Sequence, residues 1–179
     1  LAGLPANWRI DLCKRAVGGR YLFSLIVLAL TGCRPSELVH GIDIWRGKDE
    51  VTGKLLIHLR IRGAKVKDSQ GQPLRTISYD TNDPHPLVVV VNELLDTQSE
   101  PRVFAQVRSA VNLTVEIRRL ARSLWPKHKQ PITAYCFRHQ FAADLKANGD
   151  DEATSRGLGH ISAETRRLYG TAGLASKGH

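Results

Sequence analysis

Apolar residues along this chain follow two rhythms, a helical one and an alternating one. Residues 19–31, "GRYLFSLIVLALT", are apolar almost all round, the mark of a helix buried on every side. The run from Tyr21 to Leu30 is too short to span a bilayer and predicts a core helix. Gly32 and Pro35 end it, and Pro35 suits the first turn of a short helix containing Glu37 and Leu38. Residues 6–16 predict an earlier helix.

The rhythm then changes. "GIDIWR", "KLLIHLRIR" and "PLRTISY" alternate apolar with polar residues and favour β-branched types, so they predict strands. The turn-rich stretches "GKDEVTG" and "GAKVKDSQGQ" join them into a three-stranded antiparallel sheet. In residues 86–98, "PLVVVVNELLDTQ", apolar positions persist through Leu94 and Leu95 and predict a helix, although four valines would also suit a strand. Residues 107–124 form an amphipathic basic helix. Residues 133–149 predict a further helix, with Thr133 as N-cap and Gly149 as the stop. A short helix running into a turn follows in "DDEATSRGLGH". Ser162 caps a last helix, "AETRRLY", and "GTAGLASKGH" is a small polar tail. The expected fold class is mainly α with a small three-stranded antiparallel β-sheet, an α+β domain. At 179 residues the chain is long enough for one domain with a real core. Leu1 is not an initiator, so the chain reads as a fragment or a processed product.

Charge adds direction to this outline. The net formal charge is +9, and it is uneven. Residues 101–179 carry 13 cationic against 6 acidic side chains, whereas residues 1–100 carry 13 against 11. A basic C-terminal half points to an anionic partner, nucleic acid being the commonest. The three cysteines, Cys13, Cys33 and Cys136, cannot all pair, and their apolar helical settings suit reduced, structural thiols in a cytoplasmic protein.

Several residues could serve phosphodiester chemistry run without a metal. The histidines lack ligand spacing with cysteines or carboxylates, so such chemistry would rest on side chains alone. Guanidiniums suit the developing phosphate charge, because their rigid fork matches its oxygens and stays charged. Arg34 follows the buried helix in "TGCRPSEL", where Glu37 could orient it; taken singly, it also reads as a helix-end arginine favoured by the dipole. Arg138 lies in the apolar "YCFRHQFAADL" and needs either a carboxylate or an anionic ligand. Tyr135 is three residues earlier on the same helical face. His139 points elsewhere and reads as structural. Lys65 lies in the hairpin turn between the second and third strands with Lys67 as its competitor; most such lysines only solubilise. His160 stands in a Gly-rich turn. Tyr169 closes the last helix, and most tyrosines so placed are packing residues.

Together these residues resemble the catalytic domain of the tyrosine recombinases, the phage-type integrase family. The family's first arginine box is matched by "TGCRPSEL", its hairpin lysine by Lys65 in "RGAKVK", and its second arginine box by "YCFRH". Its histidine and tyrosine are matched by "LGHISAETRRLY". The match runs from about residue 15 to 172. One position departs: Tyr135 stands where the family usually has histidine, and a phenol titrating near 10 is a poor proton shuttle beside an imidazole near 6.5.

The resemblance implies a DNA strand-transfer enzyme of bacterial or phage origin. Tyr169 would be the nucleophile, Arg34 and Arg138 the phosphate ligands, Lys65 the acid, His160 and Tyr135 supporting groups, and Glu37 and His139 accessories. It implies no cofactor, double-stranded DNA as partner, a synaptic tetramer on that DNA, and no membrane. Residues 1–172 would be the catalytic domain and 173–179 a tail, with the family's N-terminal DNA-binding domain absent from this chain. A type IB topoisomerase would use the same chemistry, and a catalytically weakened DNA-binding module is the alternative that Tyr135 raises.

Overall fold

The structure, a computed structural model, describes residues 1–63 and 74–148. Its element order is α1 (Trp8–Arg15), α2 (Leu22–Thr31), α3 (Pro35–His40), β1 (Ile42–Lys48), β2 (Leu55–Arg62), β3 (Leu74–Asp80), α4 (Pro86–Asp96), β4 (Arg102–Ala105), α5 (Ala110–Leu124) and α6 (Ala134–Ala147). Helices form one layer and the sheet the other. Gly149, the short helix expected after it, Ser162 and the last expected helix fall outside the described residues.

α2 is the centre of the helical layer. Leu25, Ile26, Val27, Leu28 and Leu30 are all buried, each side chain contributing about 1.5–3 kcal/mol of transfer free energy. α6 packs along it, and α1 covers α2 and α5. Trp8 of α1 meets Phe137 of α6 edge to face with ring centroids 4.9 Å apart. The valine-rich segment 86–96 is helical because Leu87, Val88, Val91 and Leu95 recur at helical spacing and are all buried. His85 accepts from the Leu87 N–H and Pro86 begins the first turn, so the start of α4 is well specified.

The sheet has four strands, not three, in the order β3-β2-β1-β4, all antiparallel. The additional strand, Arg102–Ala105, pairs Ile42 with Ala105 and Ile44 with Val103. Four residues are too few to establish a period, so nothing local distinguishes β4 from a loop. It is held from outside: Val107 N–H donates to the Leu38 carbonyl at 3.1 Å, and Gln106 Nε2 to the Val39 carbonyl at 2.9 Å.

Period-two alternation decides which side chains face the helices. Ile42 and Ile44 of β1 and Ile57, Leu59 and Ile61 of β2 are buried. Across the ladder, Ile61, Leu59 and Ile57 oppose Arg75, Ile77 and Tyr79 of β3. A cation therefore stands in an otherwise apolar inward row. The outer face carries Trp45, with the guanidiniums of Arg60 and Arg102 at 4.7 and 5.8 Å from its ring. Among the described residues no helix is long and apolar enough to cross a membrane.

Candidate active site

The site begins where α2 stops. Thr31 Oγ1 donates to the Val27 carbonyl at 2.7 Å and accepts from the Cys33 N–H at 3.1 Å, tying the turn to the helix. Gly32 closes α2 in the left-handed region with φ +57°, and its N–H donates to the Leu28 carbonyl. A Cβ there would meet the Phe141 side chain at 2.7 Å, so glycine is needed both for the backbone and for the approach of α6. Cys33 is buried, and that burial pushes its thiol up to about 12.

Arg34 takes the N-cap position of α3 with extended backbone, as the residue before Pro35 should. Its side chain is pinned by Glu37. The Arg34 N–H donates to Glu37 Oε2 at 2.7 Å and Arg34 Nη1 to Glu37 Oε1 at 3.2 Å. Glu37 thus holds Arg34 through both its backbone and its side chain. Arg34 is 7% exposed and Glu37 0%.

Glu37 has a second, stronger partner that sequence reasoning missed. Arg75 of β3 donates from Nη1 to Oε1 and from Nη2 to Oε2, both at 2.9 Å. The signal was available: the strand pattern that turns Ile77 and Tyr79 inward turns Arg75 inward too, and a buried guanidinium demands an acid. Burial alone would push the Glu37 carboxyl up. The hydrogen bonds and charge of Arg75, then the N–H and charge of Arg34, outweigh it and hold the group below the ordinary carboxylate range.

Arg138 reaches the same corner from α6. It is 0% exposed, and Nη1 donates to the Gly32 carbonyl at 2.8 Å. The helix that carries it is fixed by Trp8, which packs on Phe137 and donates to Gln140 Oε1 at 3.4 Å. The carbonyl it grips is two residues from Arg34, whose own guanidinium is held on Glu37 of α3. His139, half-buried beside it, is held below the usual imidazole range by burial and then by the Arg138 charge.

Tyr135, although three residues before Arg138, is 45% exposed. The first turn of α6 protrudes where the middle of the helix is covered. Tyr135 lines a shallow groove of about 300 Å³ with Pro35, Ser36, Val111, Val115 and Arg118. Arg118 also lines a neighbouring hollow with Arg122, His128 and Lys129, so basic side chains run on from the groove. The cavity lined by Arg9, Tyr79, His85 and Asp144 takes in none of Arg34, Glu37, Arg75 and Arg138. Lys65, its competitor Lys67, His160 and Tyr169 lie outside the described residues. Among the described residues no cluster of three His, Cys, Asp or Glu could hold a metal.

No sequence-family model matches the chain. No curated protein matches it by sequence. Solved structures do match by fold. XerA recombinase superposes with a TM-score of 0.60 at 21% identity, covering 93% of this chain and 57% of that one. XerH site-specific recombinase bound to its difH substrate gives 0.58 at 15% identity, covering 93% and 49%. The Tn1549 transposon integrase in complex with transposon right end DNA gives 0.52 at 16%, covering 94% and 60%. The chain has the fold of tyrosine recombinases and integrases, and it spans about half the length of the structures it matches.

Proposed function

We propose that this chain is the catalytic part of a tyrosine-type site-specific DNA recombinase. The observation that carries the proposal is that two buried arginines are held at the end of α2, Arg138 on the Gly32 carbonyl and Arg34, two residues further on, on Glu37. The fold shared with recombinase and integrase structures supports it.

In this reading a scissile DNA phosphate sits over the corner and receives hydrogen bonds from Arg34 and Arg138 as charge builds on its non-bridging oxygens. The Tyr169 hydroxyl attacks phosphorus in line. A bond forms between its oxygen and phosphorus, and the bond from phosphorus to the 5′-oxygen breaks. Lys65 gives the departing oxygen its proton, and His160 receives the phenolic proton with Tyr135 in support. The 3′-phosphotyrosyl link conserves the bond energy, so rejoining needs neither a nucleotide nor a metal. Double-stranded DNA is the partner, and strand exchange proceeds in a synaptic tetramer. The basic side chains beyond Tyr135 offer the backbone an electrostatic seat.

The test is a suicide substrate, a target duplex nicked beside the scissile phosphate, incubated with the full-length protein. The expected result is a covalent protein–DNA adduct that disappears with Tyr169→Phe. A DNA-binding module, the reading that a tyrosine at position 135 favours, would give a mobility shift and no adduct. An adduct that persists in Tyr169→Phe would remove Tyr169 as nucleophile.

A further inference from the structure

We infer that Arg75 is a positioning residue that keeps the Arg34 guanidinium available to an anionic ligand, by saturating the Glu37 carboxylate that would otherwise capture it. The ligand, a DNA phosphate, rests on the recombinase reading; the side-chain relationship does not.

A carboxylate offers about four lone-pair sites, and all four at Glu37 are filled. Oε1 accepts from Arg75 Nη1 and Arg34 Nη1, and Oε2 from Arg75 Nη2 and the Arg34 N–H. Arg75 makes the two shorter side-chain bonds, at 2.9 Å each, in the parallel fork typical of strong arginine–carboxylate pairs. Arg34 makes one longer side-chain bond at 3.2 Å. Among the described residues its Nε and Nη2 make no hydrogen bond. The corner is thus divided between an arginine spent on the carboxylate and an arginine held by one nitrogen.

Removing Arg75 would leave a fully buried carboxylate with Arg34 as its only cation among the described residues. Low dielectric makes an uncompensated charge costly, so the pair would close into a bidentate bridge. Arg34 would then be turned onto Glu37 and its donors consumed. Arg75 does this work from the inward row of β3, opposite Ile61 and 5% exposed, where no solvent competes for its fork.

Arg75→Met, with and without Glu37→Gln, tests this in the full-length protein. Crystals of Arg75→Met are expected to have Arg34 in two side-chain hydrogen bonds to Glu37. Adduct formation on the nicked duplex is expected to fall about a hundredfold with DNA affinity little changed. Adding Glu37→Gln removes the captor and should recover at least about tenfold of that rate, a recovery that a merely structural arginine would not permit. If Arg75→Met does not fold, Arg75→Lys carries the same measurements, because a point ammonium cannot cover both oxygens. Arg34 unchanged in either variant's crystals would overturn the inference. So would a double variant slower than the single one. A wild-type protein that forms no adduct would refute the recombinase reading while the position of Arg34 still decides the role of Arg75.

Discussion

Arg138 donates through Nη1 to the Gly32 carbonyl at 2.8 Å, joining two residues 106 apart in the chain. The bond depends on the left-handed turn at Gly32 and on the close approach of Phe141 to that glycine. Gly32→Ala forces a side chain into both. It is expected to cost about 1–3 kcal/mol of stability, read from the midpoint of urea unfolding. An unchanged midpoint would mean that neither the turn nor the contact is tight.

The same bond gives Arg138 a backbone anchor on one side and leaves its charge at the corner. Arg138→Lys keeps the charge and loses the fork. On the proposed chemistry the rate of adduct formation should fall about 10²–10³-fold while the circular dichroism spectrum is retained. Time courses on the nicked duplex measure it, and a rate within threefold of wild type would contradict a direct role at the phosphate.

Glu37 makes stability depend on acid pH with a definite sign. Its carboxyl is held below the ordinary 4.5, so its contribution is complete above that value and is lost as pH falls through the folded one. The stability gap between wild type and Glu37→Gln should be constant above about pH 5, at about 3–5 kcal/mol for breaking a buried ion pair. Below pH 4.5 it should shrink. Denaturant titrations between pH 3 and 8 check both the plateau and its loss.

The three free thiols differ in setting. Cys13 and Cys33 are buried, and burial pushes each up to about 12; Cys136 is partly exposed at the start of α6. Native-state alkylation at pH 8, followed by mass spectrometry, should label Cys136 first, with the other two reacting only after unfolding. Early labelling of Cys33 would show that the turn carrying Arg34 opens readily.

Much of this was legible in the chain because the signals are local and redundant. α2 announces itself by ten residues of nearly unbroken apolar character, and "TGCRPSEL" then forces a stop, a proline in the first turn and an acid three residues after Arg34. The alternation in β1, β2 and β3 identified those strands, and the spacing of Val88, Val91 and Leu95 outweighed valine's taste for strands in α4. Two things escaped. β4 is a strand only because β1 has an open edge and Leu38 and Val39 offer carbonyls to the residues after it. Arg75 was not among the candidate residues, and only the strand register, which turns it inward, brings it onto Glu37.

The sequence by itself determined the existence of α2, α4 and α6 and of the first three strands, because propensity, capping and periodicity act over a few residues. It could not determine that Arg75 lies on Glu37, that Arg138 grips the Gly32 carbonyl, or that Tyr135 stays at a rim while Arg138 is engulfed. Those relations join residues from 38 to 106 positions apart. Only tertiary packing decides them, because a charge buried by the fold must find its partner wherever the fold has brought one.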